Sequence, residues 1–415
     1  MRPRPGILLV ALWGLALVVA SEAAQEHEQE ESPSVLTLRT SVKATGLISR
    51  APDAPDLFSE RTTAQSMVRF RIEPEIRAGK NTTFNVAYEQ RLHYASGASG
   101  IAAIGILPAA ASTPFRVEPL VWRVTDSGDG TWRHEIDRAN AQVHLRRADL
   151  TIGRQPIGWG RGVIFTSVDL FAPFSPLEVD REWRSGVDAM RADIKLTDRS
   201  SIDLVGAFGD ALDRSAFAAR ARGYAGTVDV EVVGGRRGQD LFGGVTSSAA
   251  AGNAEVHSEA AAFRVPSGVD HDVVWKVVIG GSYRFPIGSG ILAYAEYHYS
   301  GFGARRPEEI LVLLTTPWFL ERIVRGDMQI LSRHAIGVTG SYEASPEITY
   351  TGQWLHNPAD QSGIFAPALT YTFNDALSLL GTVYVPYGQP PEGGQLRSEY
   401  GAAPLSGLLQ LRVYF

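Results

Sequence analysis

The stretch Val273-Val274-Trp275-Lys276-Val277-Val278-Ile279-Gly280-Gly281-Ser282-Tyr283-Arg284-Phe285 decides the fold. Side chains along a strand alternate between faces, so Val273, Trp275, Val277, Ile279, Tyr283 and Phe285 share one side. Lys276, Ser282 and Arg284 share the other. The alternation returns where Val68, Phe70, Ile72 and Ile76 oppose Arg69, Arg71, Glu73, Glu75 and Arg77. It returns again where Ala139, Ala141, Val143 and Leu145 oppose Arg138, Asn140, Gln142, His144 and Arg146. A helix would spread such charges around its surface. In a strand they fix the register, because a slip of one residue would drive all of them to the apolar side. Repeated segments of about ten residues with this alternation are the pattern of a transmembrane β-barrel.

The chain ends Leu409-Gln410-Leu411-Arg412-Val413-Tyr414-Phe415, with Leu409, Leu411, Val413 and Phe415 on one face. An edge strand of a soluble sandwich would read the same way. A terminal strand closed by an aromatic also resembles the signal by which Gram-negative outer-membrane barrels are recognised by their assembly machinery, which assigns that role to Phe415, Val413 and Leu411. At the other end, Arg2 and Arg4 precede an apolar run to Ala20, and Ser21 and Ala23 have the spacing of a signal-peptidase site. Residues 1–23 therefore read as a cleavable signal peptide, 24–33 as a short acidic segment, and 34–415 as a single barrel. An uncleaved membrane helix is the alternative, but the run is shorter than the roughly 20 residues such a helix needs.

Short links at 78–81, 146–149, 197–200, 286–290, 344–347 and 374–375 alternate with long ones at 49–63, 95–131, 158–185, 301–326 and 389–403. Barrels of this class have short periplasmic turns and longer extracellular loops, which orients the strands. Parity then requires four strands between 217 and 265, near 217–224, 228–234, 240–247 and 254–264. The total is about eighteen, with sixteen as the alternative because the glycine-rich middle is the least periodic part. Tyr88, Tyr297, Tyr299, Tyr350, Trp354, Phe373 and Tyr384 lie near strand ends as candidates for interfacial girdles.

The 415 residues contain no cysteine, so disulfides, thiolate metal sites and cysteine nucleophiles are excluded. A net charge of -6 gives no sign of a nucleic-acid surface. Nothing in the sequence calls for a cofactor or a metal. With so few residues between the cleavage site and the first strand, no periplasmic plug domain fits. Long extracellular loops folded into the lumen fill a barrel of this width instead.

One such loop runs from Thr151-Ile152-Gly153-Arg154-Gln155-Pro156-Ile157-Gly158-Trp159-Gly160, through Asp169-Leu170-Phe171-Ala172-Pro173-Phe174-Ser175-Pro176, to Arg181-Glu182-Trp183-Arg184-Ser185-Gly186-Val187-Asp188-Ala189. This run resembles porin-like and alginate-export-like Gram-negative outer-membrane barrels, in which G-R-Q, W-G and D-L-F-x-P-F-x-P precede an R-x-G-V-D strand start. The match covers about forty residues, with a weaker one between Val278 and Tyr299. It implies an outer-membrane barrel and does not identify a solute. Three prolines and several aromatics make the loop stiff, suited to fold back and narrow a pore. Arg154, Arg161, Asp169, Asp180, Arg181, Glu182 and Arg184 are the candidates for pore constriction and selectivity; structural salt bridges to the wall are the alternative role. Glu308 to Leu320 reads as a helix packed into the barrel mouth, or as a cradle for an apolar ligand.

The lumen wall carries charges of both signs, with Arg69, Arg71, Arg138, Arg220, Arg222 and Glu296 the principal candidates. Arginines cluster before residue 225, which favours anionic solutes. These observations give a porin-like outer-membrane channel, not an enzyme, for passive or loop-gated diffusion of small polar solutes. Outer-membrane lipid, the assembly machinery and the solute are its partners. A substrate-specific transporter or exporter of an acidic saccharide, aromatic acid or fatty acid is the second reading. A barrel enzyme, with His257 and His298 as the best-placed pair, or a structural barrel is the third. No strand declares a flat oligomer interface, so the oligomeric state stays open.

Overall fold

The computed structural model describes residues 35–96, 106–107, 114–127, 130–266 and 273–415. The expected signal peptide and the acidic segment 24–33 lie outside them. Among the described residues the strands are β1 (Val35–Arg50), β2 (Thr62–Ala78), β3 (Thr82–Ser96), β4 (Val121–Ser127), β5 (Gly130–His144), β6 (Ala148–Gln155), β7 (Val187–Thr197), β8 (Ser200–Ala207), β9 (Ala216–Ala225), β10 (Val228–Arg237), β11 (Asp240–Ala251) and β12 (Ala254–Arg264). They continue with β13 (Val273–Phe285), β14 (Ile291–Ser300), β15 (His334–Glu343), β16 (Ile348–Asn357), β17 (Ser362–Asn374), β18 (Leu377–Tyr387) and β19 (Leu405–Tyr414).

All pairings between these strands are antiparallel, and β1 closes on β19 with Lys43 opposite Arg412 and Gly46 opposite Leu409. Closure removes the sheet edge, so every wall strand has a hydrogen-bonding neighbour on each side. The wall has eighteen strands, because β4 is not one of them. β6 pairs only with the lower part of β5, from Ala139 to His144. β4 takes the place of β6 higher up, from Val121 opposite Glu135 to Ser127 opposite Gly130. It is a hairpin arm that extends the wall above the point where β6 turns inward. The four strands expected between 217 and 265 are β9 to β12, and the sixteen-strand alternative is set aside.

The period-two pattern sets the faces. Trp275 on β13 is 54 % exposed on the outside, while its neighbour Lys276 is 1 % exposed inside. Val68, Val232, Ile279, Leu409 and Leu411 join the apolar outer band. Phe415 lies at its short-turn end, where its N–H donates to the Thr40 carbonyl at 2.8 Å. Tyr384, expected among the girdle aromatics, instead shares the inward parity of Leu380 and Thr382 and is buried. Its hydroxyl donates to the Leu177 carbonyl of the inward loop.

A bulge breaks the pattern in β5. Ala87 faces Arg138 while Tyr88 faces Ile136, so Asp137 is the extra residue. Adjacent Asp137 and Arg138 therefore both reach inner-wall partners, Asp137 to Arg71 and Arg138 to Glu73.

The long loop between β14 and β15 forms two short helices, α1 (Pro307–Leu313) and α2 (Pro317–Val324), each starting at a proline that needs no N–H partner. Ile310 and Phe319 are fully buried, so the segment packs into the barrel mouth. Arg322 anchors α2 to Asp240 on β11 and to Asp327, and Arg325 reaches Asp240 at 3.3 Å.

Candidate functional site

Between Gln155 and Val187 the chain leaves the wall and enters the lumen. An irregular segment there has no ladder partners, and each buried amide left unpaired is costly. The wall supplies the acceptors. Glu259 on β12 accepts the N–H groups of Arg161, Gly162 (2.8 Å), Ser167 (2.6 Å) and Val168 (3.3 Å), and the Thr166 hydroxyl (3.1 Å). Glu296 on β14 accepts those of Val163 (2.6 Å), Ile164 (3.1 Å) and Phe165 (2.9 Å). Thr166 N–H goes to Gln329 Oε1 at 2.7 Å. Eight consecutive amides are thus held by three side chains, and bonds to carboxylates are stronger than neutral ones. Gly160 makes the approach possible: its φ is +110°, and a Cβ there would stand 2.8 Å from Glu259 Oε1.

Behind this clamp lie the two histidines considered for chemistry. His257 Nε2 is 3.0 Å from Glu296 and its Nδ1 3.2 Å from Glu255. His298 is fully buried and stacks on Phe165 with ring centroids 5.0 Å apart. They do not meet each other through a bond, and both sit beneath the loop.

The sequence-predicted constriction residues divide by where they bind. Arg154 stands at the foot of the loop, 2.7 Å from Asp188 and donating to the carbonyls of Pro119 and Ile136 at 2.9 Å; it belongs to the anchoring of the loop rather than to its tip. Arg161 pairs with Asp229 (2.6 Å) and Glu231 (2.9 Å) on β10. Asp169 pairs with Arg184 inside the loop, where burial holds its carboxyl above the usual range despite that partner. Arg181 donates to the loop's own carbonyls at Val163 (3.2 Å), Ser175 (3.1 Å) and Pro176. Of the seven, Asp180 and Glu182 are the two that reach β1 and β2.

They do so at a row of cations that strand register assembles. Lys43 faces Arg412 and Arg69 across its two neighbours, Arg69 faces Arg91, and Arg91 faces Arg133. Like charges directly opposite destabilise a sheet, so the row needs acids. Glu89 supplies one, meeting Arg69 at 2.7 Å, Arg91 at 2.6 Å and Arg71 at 3.3 Å. Glu135 and Asp137 are joined by Arg116 at 2.6 and 3.2 Å. The loop tip completes the set. Asp180 lies 2.7 Å from Lys43 Nζ and 2.9 Å from Arg69, and Glu182 also meets Lys43. Burial raises the Asp180 carboxyl, but Arg69 and Lys43 outweigh it and hold the group below the ordinary range. The Trp183 ring lies 3.6 Å from Lys43 Nζ and 5.0 Å from the Arg69 and Arg71 guanidinium carbons.

Of the expected lumen residues, Arg69 and Arg71 belong to this cluster, and Arg138 adjoins it through Glu73 at 3.7 Å. Arg220 and Arg222 lie elsewhere on the wall, with Asp203 and Asp229, and Glu296 is the loop clamp. Lys43, Arg116, Glu135, Asp137 and Trp183 were not singled out from the sequence. The adjacent charges of Asp137 and Arg138 were the available sign of the bulge that brings two of them inward.

Above the loop tip lies a cavity of about 400 Å³. Arg69, Glu89, Arg91, Glu135 and Asp137 line one side; Ile330, Leu355, Ile364, Leu396 and Tyr400 line another, and Phe171 to Glu178 with Trp183 form part of the lining. Burial pushes the Glu178 carboxyl up to about 7. Glu399, also on the lining, accepts the amides of Leu331 (2.8 Å) and Ser332 (3.3 Å), tying the helical loop to the loop before β19. The lining therefore offers one small molecule the cations Arg69, Arg91 and Arg325, the acids Glu89, Glu135, Asp137, Glu178 and Glu399, and an apolar surface.

No family model and no curated protein matches the chain. Solved structures do. OccK9 (OpdG) of Pseudomonas aeruginosa superposes with a TM-score of 0.58 at 10 % identity, covering 92 % of this chain and 98 % of its own. A BenF-like porin from Pseudomonas fluorescens Pf-5 gives 0.55 at 8 %, with 92 % and 98 % covered. OccAB1 of Acinetobacter baumannii gives 0.54 at 9 %, with 92 % and 96 %. At such identities the likeness establishes a shared barrel fold.

Proposed function

We propose that this chain is an outer-membrane channel of the porin type, through which small anionic solutes with an apolar part pass under control of the loop 156–186. A closed wall, apolar outside and polar inside, satisfies its backbone within a bilayer. The similar structures OccK9, OccAB1 and the BenF-like porin have the same architecture, and the last is described as a porin. The observation that carries the reading is the row Arg412, Lys43, Arg69, Arg91 and Arg133 beside an apolar-lined cavity. Arg69 and Arg91, the members of the row on the cavity lining, attract the charged end of the solute and the opposite lining accepts the apolar end.

In this reading residues 1–23 direct export and are removed, outer-membrane lipid contacts the outer band, and Leu411, Val413 and Phe415 present the assembly signal. Electrostatics alone leaves the cluster near neutrality, because Glu89, Glu135 and Asp137 sit among the cations. Anion preference is accordingly modest and depends on Arg91 and Arg133. The test is the reversal potential of residues 24–415 in a planar bilayer under a salt gradient. An anion-selective potential that falls when Arg133 is replaced by Glu supports the reading; cation selectivity of the parent chain rejects it.

A further inference from the structure

The cation row meets the loop tip in the way it would meet a solute. Lys43 and Arg69 are both nearly fully buried; both carboxylates on Lys43 come from the loop, Asp180 at 2.7 Å and Glu182, while Arg69 shares Asp180 at 2.9 Å with Glu89 of the wall at 2.7 Å. Glu182 is 41 % exposed at its side chain and also accepts from the Tyr414 hydroxyl at 2.8 Å. Trp183 closes over the same cations. Arg69 and Trp183 also line the cavity, so a molecule there already touches both sides of the contact.

We propose that Asp180 and Glu182 are resident mimics of the solute's carboxylate, and that a solute opens the passage by displacing them from Lys43 and Arg69. The inference rests on the channel reading and assigns its regulation to this contact. Its energetic basis is exchange. Burying an ion pair costs desolvation about as large as the attraction it gains, so the internal pair holds the tip with little net stability. An external carboxylate that makes the same bonds to Lys43 and Arg69 replaces the internal one without leaving a buried cation unpaired. Losing the pair with no replacement is unfavourable, which keeps the tip latched when solute is absent. The clamp at Glu259 and Glu296 holds residues 161–168 throughout, so only the tip moves. An uncharged amide of the same shape offers Lys43 a neutral acceptor but no charge to compensate it, and does not open the tip.

The experiment records single channels of residues 24–415 in KCl with potassium hexanoate or with hexanamide added, for the parent chain, for D180N/E182Q, and for a chain lacking 163–182. The parent opens about tenfold more often with hexanoate, the factor that a ~1.4 kcal/mol difference produces, and is unaffected by hexanamide. D180N/E182Q is open without solute and indifferent to hexanoate. Lys43→Gln severs the same contact from the wall side and carries the test if the double variant does not refold. Equal responses to the acid and the amide, or a D180N/E182Q channel that stays as closed and as hexanoate-sensitive as its parent, overturn the latch. A deletion that conducts while the parent ignores hexanoate overturns the latch and spares the channel; silence of the deletion rejects the channel and the latch together.

Discussion

Replacing Glu259 by Gln tests whether wall carboxylates hold the loop. One carboxylate oxygen takes the amides of Arg161 and Gly162, the other takes Ser167, Val168 and the Thr166 hydroxyl. An amide side chain keeps only one acceptor atom. If its oxygen serves the first set, its NH2 faces three donors; if it turns over, it faces two. A buried donor left without an acceptor costs about 1–3 kcal/mol, so the clamp loses about 4 kcal/mol either way. That is a factor of about 10³ in the equilibrium for lifting the segment. Hydrogen exchange at single-residue resolution reads this directly. The amide pair that faces the new NH2, either Arg161 and Gly162 or Ser167 and Val168, is expected to exchange about 10³-fold faster in the variant. The amides of Val163, Ile164 and Phe165, still on Glu296, accelerate less. Protection of both pairs within threefold of the parent would show that something other than Glu259 holds them.

Glu178, with its carboxyl at about 7, is mostly protonated at pH 6 and mostly ionised at pH 8. Over that window the cavity gains negative charge, so the anion-to-cation permeability ratio is expected to fall as pH rises; a Glu178→Gln channel that keeps the same dependence would assign it elsewhere. Arg71→Leu removes the partner of Glu73, Glu89 and Asp137 and leaves buried carboxylates undercompensated. The expected loss is about 3–5 kcal/mol, read from urea unfolding in lipid vesicles, and a loss under 1 kcal/mol would contradict the buried network. Deleting Phe415 is expected to lower membrane insertion in cells severalfold while refolding into detergent in vitro stays near normal. Equal insertion would remove the assembly role from this residue.

Much of the wall was legible because a barrel imposes one rule at every strand. The alternation at Val273 to Phe285 and at Val68 to Arg77 showed which residues face inward, and short links marked the tight turns. β4 was not legible, because it lies in the long loop after β3 and obeys no rule of the wall. Nor was the cation row, although Arg69 was placed inside. A row is a property of register between strands, and Lys43 and Arg412 are far apart in the chain. Asp137 was missed because the bulge reverses parity within one residue. The loop was recognised from its prolines and paired charges, yet its anchoring depends on backbone amides, which every residue carries and no pattern marks. Glu296 read as an ordinary lumen charge, and what distinguishes it, as it does Glu259, is what it faces.

The most direct test of a loop-constricted channel is single-channel conductance of refolded residues 24–415, with and without residues 163–182. Low or intermittent conductance that rises to a large, steady level on deletion is the expected result, because the deleted segment carries the clamp on Glu259 and Glu296 and the contact with Lys43. Silence of both proteins, once each is shown to be folded and inserted, would contradict the account.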